Sequence, residues 1–333
     1  MKIKQIFFTD VNTAKLLDAE LPEPKSDEVL VKTVVSTISC GTERANIIGS
    51  KNVVGGFPKS VGYSNSGIVA KVGDAVKSVK PGDRVAVYWG NHKSYNLLPE
   101  KNVVKIESEN VSFEDAAMGL ISSFPLAAIR KTRLEIGESA MVMGLGILGM
   151  IAIKLLRAAG AVPIIAVDPN EKRRSIALQN GADYAFNPFD TDFAEKVKAV
   201  TGGGVKVAIE VTGVGAGLNE ALDCMAKFGR VSLLGCTRNS DFTVDYYNKV
   251  HVPGITLIGA HTIARPEEES HPGYFTHRDD ISAVLNLCAL GRLKLDNLVE
   301  ETHSPKECEE VYLRLVNDKD FPVVVQFDWR NIE

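Results

Sequence analysis

Residues 141–149 read M-V-M-G-L-G-I-L-G, a G-x-G-x-x-G array directly after one apolar run and opening another. Glycines at this spacing suit a bound diphosphate. Gly144 permits the tight turn, Gly146 lets the backbone approach a pyrophosphate, and Gly149 allows a helix to pack closely on the preceding strand. The residues that follow, Ile147 and Leu148, stand where a helix N-terminus presents unpaired amides and a positive dipole end to phosphate. Asp168 lies 19 residues beyond Gly149, at the end of the run PIIAV. A carboxylate there accepts hydrogen bonds from the adenosine ribose and repels a 2′-phosphate, which favours NAD over NADP. Lys172, Arg173 and Arg174 pull the other way. Arg173 is a candidate cofactor contact, although the three also read as a solvated helix face.

A second glycine-rich turn, SVGYSNSGIVAKVG at 60–73, carries Tyr63 and Ser64. A phenol with a pKa of about 10 suits donation to a carbonyl oxygen more than proton abstraction. Tyr63 also reads as a residue packed over the turn. His92, in WGNHK, has the near-neutral pKa that general acid–base work needs, and reads equally as a solvent-facing histidine. Four of the six histidines, His251, His261, His271 and His277, fall between residues 251 and 277, with Arg265 and Arg278 in the same stretch. His261, Arg265 and His277 are candidates for binding a polar, polyhydroxylated or anionic substrate, arginine being suited to carboxylate or phosphate. A charged loop at a subunit contact is the alternative.

The totals narrow the class of protein. At 333 residues two domains are expected, and 45% apolar with 24% charged residues is ordinary for a globular chain. A net charge of −4 gives no reason to expect nucleic acid or an anionic membrane as partner. The apolar run before Thr9 is too short for a secretory signal, and the longest one, around Ala140 to Ile153, stops at Lys154, short of the ~20 residues of a membrane span. Five scattered cysteines without a C-x-x-C argue against both a disulfide framework and a cysteine-rich zinc lobe. A cytoplasmic protein acting on a small molecule is the expectation.

These residues need elements to hold them. The first ~90 residues alternate in the manner of strands (KIKQIFF, AKLLDAEL, EVLVKTVVSTI, GIVAKV, DRVAVYW) between Gly/Pro turns. From Ser112 the pattern turns helical, with Pro125 expected to kink or break the helix. From Ser139 strand patterns alternate with helical ones, LNEALDCMAKFG among the latter. That alternation implies a parallel, doubly wound sheet. Ser304, Pro305 and Glu307 signal a capped helix, and PVVVQFDW a closing strand.

This organisation resembles the medium-chain dehydrogenase/reductase superfamily. The resemblance covers nearly the whole chain and is carried by SCGTE at 39–43, the VGYSNSGIVAKVG turn, KPGDRVAVY, GLGILG with Asp168, and EVTGVGAGLNEALDCMAKFGRVSLLG at 210–235. It implies an α/β fold: a doubly wound parallel Rossmann sheet over residues 121–260, with a β-rich GroES-like catalytic domain from residues 1–120 and 261–333. It places Val211, Thr212 and Gly235 at the cofactor, Cys40 at the first catalytic zinc ligand, Thr42 at the hydroxyl that exchanges a proton with substrate, and Glu43 at the carboxylate behind it, facing the substrate region. Where the zinc-dependent branch carries Gly-His-Glu, this chain has Gly62, Tyr63 and Ser64. The later ligand position falls at about Leu120, and the proton-relay histidine position holds Ala45. No four-cysteine structural lobe fits between Tyr88 and Ser94. Cys40, unless it is an inert thiol, is left without the partners a zinc wants, and no metal is expected.

The resemblance therefore implies an NAD-dependent oxidoreductase acting on an alcohol/ketone pair of a sugar-, cyclitol- or sugar-acid-like metabolite, without catalytic zinc. Cys40, Thr42, Tyr63 and His92 are the catalytic candidates. A zinc-independent quinone or enone reductase, and a dinucleotide-binding protein without turnover, remain alternatives. The family's habit of pairing subunits through the last Rossmann strand, here ITLIGA, implies a homodimer or tetramer.

Overall fold

Six apolar runs between residues 140 and 259 pair side by side, all parallel, in the order Tyr184–Phe186, Ile164–Val167, Ala140–Met143, Val205–Glu210, Met225–Leu233, Thr256–Gly259. Every residue of Ala140–Met143 and Ile164–Val167 is buried, as strands covered by helices on both faces require. The order reverses between Ala140–Met143 and Val205–Glu210. Their C-terminal ends are thus the switch point at which a doubly wound sheet takes a dinucleotide. The sheet belongs to one of two compact units, Ser122–Thr276; the other comprises Met1–Ile121 and His277–Glu333. The structure, a computed structural model, describes residues 1–51 and 53–332.

Three local readings change. Pro125 lies inside an unbroken helix, Gly119–Lys131; the burial of Ile121, Phe124 and Ala128 around it outweighs the roughly 3 kcal/mol that an interior proline costs. The helix expected over LNEALDCMAKFG ends at Asp223, and the strand already begins at Met225. Phe228, at a φ of 61°, lets that strand shift register between Val205↔Met225 and Val207↔Arg230. Residues 261–276, expected with the β-rich unit, pack with the Rossmann unit instead. Cations hold them there: Lys131 donates to the carbonyls of Gly259 and Ala264 at 3.0 and 2.5 Å, Arg265 donates to that of Ser123 at 2.9 Å, and the Arg130 guanidinium lies 3.8 Å over the Phe275 ring.

In the β-rich unit the long strand Glu28–Thr37 is central, pairing with Val324–Asp328, Ser64–Val72 and Tyr95–Pro99. Arg84–Tyr88 continues the sheet from Ser64–Val72. Ile6, Phe8, Ile38, Tyr312, Phe327 and Trp329 pack together in one of its apolar clusters. SCGTE opens a helix, Cys40–Ile47, that the strand-rich pattern did not announce. Ser304 caps its turn with the full capping box, leading into the helix Cys308–Asn317. Among the described residues no helix is long and apolar enough to cross a membrane.

Candidate active site and cofactor cradle

Gly144 ends its strand at a φ of 99°, and a Cβ on it would meet Thr212 Cγ2 at 3.0 Å. A Cβ on Gly149 would sit 2.0 Å from the Gly144 carbonyl oxygen, so helix Ile147–Ala158 rests directly on the turn. Gly146 differs: its φ is −73°, and a Cβ there would meet nothing within 4 Å. Open space above a helix N-terminus that no side chain caps is a cradle for an anion. Ile147 buries its side chain and offers only its amide, while Leu148 is half-buried.

Asp168 ends Ile164–Val167 and is buried; its Oδ2 accepts the Leu145 amide and its Oδ1 the Asn170 amide, both at 2.8 Å. The carboxylate ties the glycine turn to the second strand and keeps lone pairs for a ribose. Arg173 is not simply solvated: its Nη1 lies 4.0 Å from Asp168 Oδ2. Arg174 is held by the carbonyls of Asp168 and Pro169 at 2.8 and 2.9 Å.

Glu210 drew no attention in the sequence, yet it organises the neighbouring loop. It is buried, and accepts the Thr212 amide at 2.7 Å, the Gly213 amide at 3.2 Å and the Thr212 hydroxyl. Burial raises its pKa, opposed by the bonds from Thr212 and Gly213. A Cβ on Gly235 would lie 2.3 Å from Gly213 N and 2.8 Å from the Val211 carbonyl carbon. Gly144, Val211, Thr212 and Gly235 therefore converge at the strand ends.

In the β-rich unit, the Tyr63 hydroxyl donates to Ser39 Oγ at 2.5 Å. Ser39 sits at the N-cap of Cys40–Ile47, but its hydroxyl does not cap; instead its amide is taken by Glu43 Oε1 at 2.8 Å, which leaves the hydroxyl for the phenol. Burial raises the Tyr63 pKa well above that of an ordinary phenol; the Ser39 and Thr42 hydroxyls act to lower it, and the Glu43 charge to raise it. Cys40 is half-buried, its Sγ 3.8–3.9 Å from the carbonyls of Ile38, Pro322 and Val323.

Two expectations fail here. His92 is 0% exposed, neither a surface histidine nor a group able to touch substrate, with Nδ1 2.7 Å from Ser36 Oγ and Nε2 3.1 Å from Glu43 Oε2. Glu43, expected to face substrate, is 2% exposed and also accepts the Tyr312 hydroxyl at 2.5 Å. The third surprise is Trp89, an exposed aromatic at a φ of 61°. So bulky a residue rarely adopts this conformation, and such strain concentrates at functional sites. Its ring stands 5.7 Å from that of Tyr63 and 5.3 Å, edge-on, from that of His277. His277 thus joins Tyr63 in the same unit. His261 and Arg265 belong to the other unit, where His261 is exposed.

A catalytic zinc needs three protein donors and an open position, and the residues here do not fit one. Ser64 is wholly buried and donates to the Ala117 carbonyl at 2.7 Å; Leu120 is apolar and buried; both nitrogens of His92 are engaged. Among the described residues no group of three or more His, Cys, Asp or Glu converges in a way that could hold a metal ion.

The sequence pattern of the alcohol dehydrogenase GroES-like domain matches residues 25–123, and that of the zinc-binding dehydrogenases matches residues 148–271. The L-threonine 3-dehydrogenase of Caldanaerobacter subterraneus subsp. tengcongensis is 30% identical over 281 residues, covering 74% of this chain and 79% of that protein. The chain belongs to the zinc-type medium-chain dehydrogenase/reductase superfamily. This oxidoreductase is also similar to the sorbitol dehydrogenase of Bacillus subtilis, 26% identical with 93% of each chain covered. The crystal structure of 2R,3R-butanediol dehydrogenase from Bacillus subtilis shares the fold, with a TM-score of 0.83, 24% identity and coverage of 98% of this chain and 99% of that one. The present chain is an alcohol-dehydrogenase-type enzyme using a nicotinamide cofactor, and it carries Tyr63 where its family's zinc-dependent branch has a histidine.

Proposed function

We propose that the enzyme is an NAD-dependent, zinc-independent dehydrogenase of small polar alcohols, in which the Tyr63 phenol takes the place of the metal at the substrate oxygen. One observation carries this reading: Tyr63 presents its hydroxyl beside Ser39 and Thr42, whereas the donors for a zinc are replaced or engaged elsewhere. The relatives act on threonine and sorbitol by their names, which supports a polar alcohol/ketone pair as substrate.

A bound nicotinamide dinucleotide would supply the hydride to the ketone or take it from the alcohol. Gly146 and the amides of Ile147 and Leu148 would receive its diphosphate, and Asp168 its adenosine ribose, which supports NAD. Tyr63, with its pKa held high, stays protonated at neutral pH and donates to the carbonyl oxygen of the ketone as negative charge develops there. The proton it yields is replaced through the Ser39 or Thr42 hydroxyl; in the oxidative direction the alcohol proton returns along the same path. Trp89 stands beside the phenol and His277 against the far side of Trp89, a wall against which a polyol would lie.

The test joins metal analysis of the purified protein to kinetics on a panel of polyols, amino alcohols and sugar alcohols. The expected result is no stoichiometric zinc, activity unaffected by chelators, and a fall in kcat of about 10²- to 10⁴-fold in Tyr63→Phe with NADH binding unchanged. Stoichiometric zinc, or a Tyr63→Phe enzyme of undiminished kcat, overturns it. NADH binding without turnover on any substrate of the panel would mark a binding protein instead.

A further inference from the structure

We propose that Glu43 and His92 are positioning residues that hold the Tyr63 phenol in its working place, one through Ser39 and the other through Gly62. The proposal rests on Tyr63 acting as the donor to the substrate oxygen.

Trp329 Nε1–H can only donate, and does so to Ser36 Oγ at 2.8 Å; Ser36 in turn faces His92 Nδ1 at 2.7 Å. At the other end an ionised Glu43 can only accept. Its Oε1 takes the Ser39 amide at 2.8 Å, and its Oε2 takes the Tyr312 hydroxyl at 2.5 Å, with His92 Nε2 at 3.1 Å. With a donor-only group at one end and an acceptor-only group at the other, one arrangement satisfies every member. Ser36 donates to Nδ1, and Nε2–H donates to Glu43. The imidazole is thereby locked in tautomer and orientation, with the Phe327 ring 5.4 Å away and edge-on.

Both ends of this chain bear on Tyr63. Glu43 fixes the backbone of Ser39, whose hydroxyl accepts from the phenol. The His92 ring supports the residue before it: a Cβ on Gly62 would lie 2.6 Å from His92 Cγ and Cδ2. The turn into Tyr63, at a Gly62 φ of 84°, therefore rests on the ring itself, and the His92 amide is bonded to the Val61 carbonyl at 2.7 Å. Ser36, Glu43, His92, Tyr312 and Trp329 are all buried. Apolar side chains of similar volume would stabilise such a site as well or better. A satisfied polar network instead enforces one geometry, and the group it holds in register here is the phenol.

The test is a set of double-mutant cycles. Glu43→Leu removes the acceptor for the Ser39 amide, Glu43→Gln keeps an oxygen for it, and Ser39→Ala removes the hydroxyl that pairs with the phenol. Each is made alone and with Tyr63→Phe, and kcat and KM on the best alcohol of the panel are measured beside NADH binding by fluorescence. The expected result is a loss of kcat of roughly 10- to 100-fold in Glu43→Leu and Ser39→Ala, the scale of a misplaced catalytic group. KM and NADH affinity stay near the parent's, Glu43→Gln recovers most of the loss, and none of the three lowers kcat further once Tyr63 is Phe. Should Glu43→Leu fail to fold, Tyr312→Phe replaces it, removing one hydroxyl from the carboxylate while its ring still packs on Phe8 and Phe327. Losses of equal size in the parent and Tyr63→Phe backgrounds, or a Glu43→Gln enzyme as poor as Glu43→Leu, overturn the positioning role while leaving Tyr63 as donor. An undiminished kcat in Tyr63→Phe alone overturns both.

Discussion

Replacing Gly146 by alanine should separate binding from stability. The residue has a φ of −73°, which alanine adopts without strain, and its Cβ would touch nothing within 4 Å. Such a replacement restricts the unfolded chain, worth about 0.4–1 kcal/mol, but gives up glycine's advantage over alanine at a helix N-cap, a cost of similar size, so Tm should stay within about 4 °C of the parent. The new methyl group stands where a diphosphate must approach. Displacing one phosphate oxygen from its amide costs a hydrogen bond to a charged group, about 1.5–3 kcal/mol, which weakens NADH binding by roughly 10- to 150-fold. Gly149→Ala is the contrasting case: its Cβ would lie 2.0 Å from a backbone oxygen that cannot swing away, so stability should fall by about 1–3 kcal/mol. Thermal unfolding and NADH fluorescence titration of the two variants read both quantities. Gly146→Ala binding NADH within about twofold of the parent, or melting as far below it as Gly149→Ala, would refute the idea that the open side of this turn is the phosphate site.

Asp168→Ala should weaken NADH by roughly tenfold or more, the worth of a bond to a charged group, and improve NADPH relative to NADH by removing the repelling charge; parallel titrations that fall equally for both coenzymes would count against it. Glu301 and His303 give unit Met1–Ile121 with His277–Glu333 a pH signature. The Glu301 pKa is lowered to about 2, chiefly by Arg314 and against burial, so its contribution is present above the unfolded value of about 4.3 and is lost as pH falls towards 2. The His303 pKa is raised: burial acts to lower it, but the Glu301 and Glu307 carboxylates together outweigh burial. Its contribution is therefore complete below about 6.5 and lost as pH rises through the raised value. Urea midpoints should fall between pH 6 and pH 8.5 in the parent and fall less in His303→Ala. The strand Thr256–Gly259 forms one end of the Rossmann sheet with Leu257 exposed, an edge best covered by a second copy; light scattering should give a dimer or larger, and a monomer at micromolar concentration would remove that reading.

Much was legible before any coordinates. The alternation of short apolar runs with helical patterns led to the parallel sheet, because period and punctuation are local properties of the chain. The glycine turn was legible for the same reason: the spacing of Gly144, Gly146 and Gly149 encodes its backbone geometry. The capping box at Ser304–Glu307 lies within a few residues and was equally readable. Other signals misled. Pro125 carried a break that packing overrode, and residues 261–276 went to the wrong unit because the cations that hold them, Arg130 and Lys131, lie far off in sequence.

By itself, then, the sequence determined the fold class, the geometry of the glycine turn and the departure from the zinc-ligand pattern at Tyr63, all written in residue types at short spacing. Only the tertiary structure decided the surroundings of Glu43, His92, Tyr312 and Trp89. His92 and Glu43 are 49 positions apart, and Tyr312 stands 269 positions beyond Glu43; no pattern in the chain announces that a histidine in a short loop will be sealed against a carboxylate. The physical reason is that burial and partnership of polar groups are set by which distant strands and helices close over them, and that closure depends on the whole core.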